Sequence, residues 1–127
     1  MEFRTFLEYR AGLQYRGVAR SGWVGDYLDP FTFLDLYSTP GGNNGSGWFR
    51  PEYAQMLRNA NREADPDKRY AMLAKAESYL LAEQPVIPLL TNSTNYVRKP
   101  YVKGMYGNPV TIHPWKHVYI EHDPARW

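Results

Sequence analysis

Apolar residues at helical spacing mark the start of the chain. Phe3, Phe6, Leu7 and Arg10 share one face and Glu2, Arg4 and Glu8 the other, which predicts an amphipathic helix. Gly12 and Gly17 then bracket a turn into an alternating segment. Val18 and Arg20 point to one side and Ala19 and Ser21 to the other, as in a strand. The strand breaks at Gly22, turns through Trp23, Val24, Gly25, Asp26 and Tyr27, and stops at Asp29-Pro30. Asp29 suits an N-cap and Pro30 the first position of a short helix, on which Phe31, Leu34 and Asp35 align. Residues 38–47, STPGGNNGSG, hold no hydrophobic residue and many breakers, so a mobile surface loop is expected there.

The helical period returns in the middle of the chain. Tyr53, Met56, Leu57 and Ala60 give one face of a helix from Pro51 to Asn61. Asp65 and Pro66 restart the chain as N-cap and first helical residue, with Asp67 near the positive helix end. Tyr70, Leu73, Ala74, Leu80 and Leu81 form the stripe of a second helix reaching about Glu83, and Pro85 ends it. Val86 to Leu90 reads as a short apolar strand, placed at an edge or bulge by Pro88. Tyr96 to Arg98 reads as its resumption. From Lys99 onward prolines and glycines punctuate aromatic residues, an irregular segment with a last short strand at Val118 to Ile120 and a loose tail. The predicted class is α/β: a helical hairpin covering one face of a small mixed sheet through Met56, Leu57, Leu73 and Leu80.

Composition narrows the function. The 127 residues make one domain's length. With 15 basic and 13 acidic residues, the net charge of +2 is too balanced for a dedicated nucleic-acid binder. There is no cysteine, which excludes disulfides, thiolate metal sites and cysteine nucleophiles. No apolar run approaches a membrane span, and no signal-peptide pattern precedes the first helix. The abrupt helical opening reads as a cut through a longer protein. Aromatic content is high at 16%, which suits a ligand cleft, an interface or a core with polar rims.

Little in the chain points to catalysis. The three histidines, His113, His117 and His122, lack a supporting ligand pattern, so no metal and no cofactor are expected. No nucleophile elbow is present, and Asp26 and Asp29 in a turn are not evidence of acid–base work. The glycine-rich loop lacks the Lys-Ser/Thr ending of a phosphate loop. Asp26 between Trp23 and Tyr27 admits two readings. It is a recognition site at a strand end, or it is an Asx-type turn with both aromatics buried.

Taken in order, these stretches resemble the C-terminal part of the family 5 extracellular solute-binding proteins, the oligopeptide- and dipeptide-binding receptors of ABC importers. VARSGWVGDYLDPFTFL is similar to the family's strand, Trp, small residue, Asp-Tyr and Asp-Pro. Asn43-Asn44 before a helix is similar to its Asn-containing loop. DPDKRYAMLAKAESYLLAEQPVIPLL resembles its helix and Pro-x-Ile-Pro strand, and YVRKPYVKGMYGNP its return segment. The resemblance implies a C-terminal fragment of a two-lobed, type II periplasmic-binding-protein-like fold. Residues 1–90 would be a lobe portion and residues 91–127 the return crossing toward the other lobe.

The implied function is non-enzymatic import of a peptide or peptide-like solute, outside the cytoplasmic membrane, with a membrane permease as partner of the full-length receptor. By the same resemblance Asp26 pairs with a peptide's α-ammonium, Arg20 lies near its carboxylate, and Trp23 walls the cleft or anchors the core. Val24-Gly25 stands where the motif varies, so side-chain preference is not implied. The alternative is a structural or interaction fragment that binds no solute. A lobe cut open would expose sheet edges and apolar surface, so self-association is expected of the isolated chain.

Overall fold

A computed structural model describes residues 2–93, 95–108 and 114–121. The chain divides into two units, Met1–Pro88 and Leu89–Trp127. In the first, the central feature is a helical hairpin of α3, Pro51–Arg62, and α4, Pro66–Ala82. Local chemistry starts and stops both helices. Pro51 stands at the beginning of α3, where its missing N–H costs nothing. Asp65 caps α4, its carboxylate accepting from the backbone N–H of Asp67 at 3.0 Å and Lys68 at 3.2 Å. Tyr53, Ala54, Leu57 and Ala60 of α3 are buried, as are Leu73, Ala76 and Leu80 of α4. The alanines let the helices approach, and Leu34 closes the cluster from outside the hairpin.

The α4 stripe is rotated from the expected one. Tyr70 and Ala74 are exposed, and Ala76 is buried in their place. Tyr70 and Ala74 instead line an open groove of about 240 Å³ with Pro30, Phe33 and Glu77. Met56 is only half-buried at the rim of the core.

Flanking this core are α1, Phe3–Ala11, and α2, Phe31–Leu34, which runs into a single 3-10 turn, Asp35–Tyr37. Helix α1 forms where expected, capped by the Glu2 carboxylate, yet none of its residues is buried. Helix α2 is short but firmly held: Thr32 and Leu34 are buried, and the buried Tyr53 hydroxyl donates to the Leu34 carbonyl at 2.8 Å. Trp48 and Tyr79 pack edge and face against Tyr53.

The loop at 38–47 is not simply solvated. Asn44 is buried, its amide donating to the carbonyls of Thr39 at 3.0 Å and Trp48 at 2.7 Å. Its Oδ1 accepts from the Ser46 hydroxyl at 2.7 Å, and the Tyr15 hydroxyl donates to the Gly45 carbonyl at 2.8 Å. One buried amide thus does the work of a local core, which hydrophobicity could not signal.

The expected sheet is absent from this unit. Neither Val18 to Ser21 nor Val86 to Pro88 pairs as a strand among the described residues. Alternation prepares a face, but a strand also needs a neighbour for its N–H and C=O groups, and these segments meet none among the described residues. The hairpin core is therefore closed by α2, Trp48 and Tyr37 rather than by a sheet.

The second unit holds the strands that the structure does form. β1, Val102–Lys103, pairs antiparallel with β2, Tyr119–Ile120, in the register Val102↔Ile120 and Lys103↔Tyr119. β2 lies within the expected last strand, β1 within a segment expected to be irregular, and Tyr96 to Arg98 forms none. The Glu121 N–H donates to the Tyr101 carbonyl at 2.8 Å, and Lys103 pairs with Glu121 at 3.2 Å. Gly104 has a positive φ of 77°, and a Cβ there would overlap the His117 carbonyl, so only glycine fits beside the strand pair.

Candidate ligand-binding site

The segment from Gly22 to Asp29 folds back on α2 through two reciprocal hydrogen bonds. The Asp26 N–H donates to the Thr32 Oγ1 at 3.1 Å, and the same hydroxyl donates to the Asp26 Oδ2 at 3.4 Å. Thr32 is buried, so it holds the Asp26 side chain from below while leaving that side chain exposed. Among the described residues nothing is hydrogen-bonded to the Asp26 Oδ1. Gly25 permits this fold: a Cβ there would lie 3.2 Å from both Phe33 and Thr32 side-chain atoms.

Asp26 and Trp23 line one open pocket of about 320 Å³. Tyr27, Thr32, Asp35 and Leu36 line it as well, together with Ser38, Thr39, Gly41, Gly42 and Asn43 of the anchored loop. Asp35 accepts from the Ser38 hydroxyl at 2.7 Å. The lining carries two carboxylates and no basic side chain. Partial burial raises the Tyr27 phenol above its ordinary value, helped by the nearby carboxylates of Asp35, Asp29 and Asp26 and opposed by the Arg69 guanidinium. An aromatic-walled, acidic recess of this kind is suited to an ammonium group.

Arg20 is placed differently. It is exposed, stands outside the pocket lining, and pairs with none of the described residues. Trp23 and Tyr27 are both substantially exposed, so neither is a core anchor. Of the histidines, His113 and His122 lie outside the described residues, and His117 ends a 3-10 turn, Trp115–His117. No group of three possible metal ligands occurs among the described residues, and none of their helices is long and apolar enough to cross a membrane.

One contact beside the pocket was invisible in the sequence. Arg69 of α4 grips Asp29 with both guanidinium ends, at 2.6 and 2.9 Å, and each side chain is about one-fifth exposed. Asp29 Oδ1 also accepts from the Phe31 N–H at 2.9 Å, although Pro30 rather than Asp29 takes the N-cap position of α2, which begins one residue later than expected. The Arg69 hydrogen bonds hold the Asp29 carboxyl below the usual carboxylate range, helped by the Phe31 N–H and opposed by partial burial. Asp35, Thr32 and Arg69 are the residues that sequence reasoning gave no site role. Asp35 stood out only as part of a helical stripe, and Arg69 only as one residue of the stretch DPDKRYAMLAKAESYLLAEQPVIPLL.

No protein-family model matches the chain. Individual proteins do. The chain is 34% identical over 110 residues to the dipeptide-binding protein DppE of Bacillus subtilis, which covers 87% of this chain and 20% of that protein. It is 34% identical over 105 residues to the oligopeptide-binding protein OppA of the same organism, covering 82% and 19%. It is 31% identical over 120 residues to the periplasmic murein peptide-binding protein MppA of Escherichia coli, covering 94% and 22%. The chain thus spans about a fifth of the length of these relatives, whose names are those of binding proteins rather than enzymes. Over the stretch that it spans, the chain belongs to the family 5 extracellular solute-binding proteins, with the oligopeptide- and dipeptide-binding proteins.

Proposed function

We propose that this chain supplies one wall of the cleft of a two-lobed, type II peptide receptor. The receptor would act outside the cytoplasmic membrane and hand a peptide or peptide-like solute to the permease of an ABC importer. The observation that carries this reading is the pocket that sets Asp26 beside Trp23 with no basic side chain in its lining. Asp26 accepts the α-ammonium of the solute through Oδ1, while Thr32 fixes Oδ2. Such a bond is charge-assisted and strengthens when a second wall excludes water. Trp23 and Tyr27 flank the peptide. Arg20, outside the pocket, serves the solute's carboxylate, for which its fork is suited. The step is binding alone and involves no covalent chemistry.

One wall is a weak binder. An ion pair in open water is worth about 0–1 kcal/mol, which does not offset the several kcal/mol lost in immobilising a flexible peptide. The 127-residue chain alone should therefore bind peptides no tighter than about millimolar. In a full-length receptor containing it, Asp26→Asn should weaken peptides with a free amino terminus much more than their N-acetylated forms. Titration calorimetry on both preparations tests the reading. Equal losses for the two peptide forms would remove Asp26 from this role, and micromolar binding by the short chain would refute the need for a second wall.

A further inference from the structure

We infer that Arg69 is a positioning residue for the ammonium site: its grip on Asp29 sets where Asp26 stands, although Arg69 does not line the pocket. The segment carrying Trp23 and Asp26 has few fastenings. Ser21 accepts from Arg10 at 3.1 Å in an exposed contact, and Arg10 belongs to α1, which buries nothing. Asp26 is fastened to Thr32 at the start of α2. The only side-chain hydrogen bonds joining this segment to the hairpin, among the described residues, are those of Arg69 to Asp29.

The route from Arg69 to Asp26 is short and polar. Asp29 takes Arg69 on both oxygens and turns Oδ1 onto the Phe31 N–H at the first turn of α2. Its carbonyl accepts from the Thr32 N–H at 3.3 Å, and the Thr32 hydroxyl then meets Asp26 on both its N–H and its carboxylate. Arg69 itself is held against the Tyr70 ring, 5.9 Å from the centroid, on the longest helix of the unit. A guanidinium fork fixes its partner's plane as well as its distance, which an ammonium does not. The grip therefore transmits the rigidity of the hairpin to a segment that has no core of its own.

This inference rests on the reading that Asp26 receives the α-ammonium, and two readouts keep the two apart. The first needs no ligand. In the chain itself, Arg69→Met should speed hydrogen exchange of the Asp26 amide while the amide of Ala76, in the buried middle of α4, stays protected. The second uses a full-length receptor containing the chain and one peptide in free and N-acetylated form. Arg69→Met and Asp29→Asn should each cut the preference for the free form by about tenfold, with the double variant little worse than either single one. Arg69→Lys, which keeps the charge but not the fork, should restore only part of it and serves if the Met variant folds poorly.

Unchanged exchange at Asp26, or equal loss of both peptide forms, would overturn the positioning role. Selective exchange at Asp26 with no amine preference in the unaltered receptor would uphold the grip and refute the ammonium reading instead.

Discussion

In α3 and α4, Tyr53, Leu57, Leu73 and Leu80 are each no more than 3% exposed; between Tyr15 and Pro30, Val18 is 85% and Leu28 76% exposed. Both regions are rich in apolar residues, yet they are held by different means. The hairpin makes its own interior, because two amphipathic stripes face each other across a short connection. The segment from Tyr15 to Pro30 has no stripe to match, and it keeps its shape through Thr32, Gly25 and the Asp29–Arg69 pair. Stability thus resides in one region and the proposed recognition site in the other. The polar contacts between them can be altered without emptying a core.

The largest effect should come from the hairpin. Leu57 is fully buried between the helices, and Leu57→Ala should cost about 2–5 kcal/mol through lost burial and the cavity left behind. Denaturant unfolding followed by circular dichroism would measure it. A cost below that of an exposed substitution would mean that the hairpin interior is not the core.

Next comes the pair that joins the two regions. Asp29→Asn should cost about 1–2 kcal/mol at neutral pH, since charge-assisted hydrogen bonds to a half-buried partner are lost. The sign with pH follows from the lowered carboxyl pKa. The contribution is complete above the ordinary aspartate value near ~3.9 and is lost as pH falls through the depressed folded value. The gap between the parent chain and Asp29→Asn should therefore narrow in that acid window and stay constant above it. A gap that widens on acidification would contradict the pairing.

A smaller effect is expected at a helix end. Asp65→Ala removes the acceptor for the Asp67 and Lys68 amides and should cost about 1 kcal/mol. The comparable loss at Glu2, which caps α1, should leave the hairpin's unfolding midpoint unchanged, because α1 buries nothing. Equal shifts from the two caps would show that α1 contributes to the cooperative core after all.

How much of this the sequence displayed depends on how far apart the partners lie. The limits of α3 and α4 were legible because Pro51, Asp65 and Pro66 act within a turn of themselves. The rotation of the α4 stripe was not, since Ala74 and Ala76 differ only in what faces them. The expected strand at Val18 to Ser21 failed for the same reason: its pattern was local and its partner was not. At the site, Asp26 and Trp23 were singled out together and do line one pocket, whereas Arg20 does not join them. Asp29 and Arg69, forty positions apart, carried no local mark of each other. The short polar loop hid its anchor in Asn44, one residue among many of similar polarity.

The smallest stability effect should fall on the apolar residues that the segment from Tyr15 to Pro30 leaves in water. Val18→Thr combined with Leu28→Ser should change unfolding free energy by no more than about 0.5 kcal/mol, because neither side chain has packing to lose. Its effect on assembly should be larger. Val18 stands in a stretch without regular structure and with no strand partner among the described residues, so its N–H and C=O groups are available to a second chain. Leu28 adds apolar surface to the same segment. The isolated chain should therefore self-associate as concentration rises, and the double substitution should shift that association to higher concentration. Light scattering over a concentration series reads both points. A parent chain that stays monomeric at high concentration would show that polar fastening suffices to keep such a segment apart from its copies. Association unaffected by the substitutions would move the contact away from this segment.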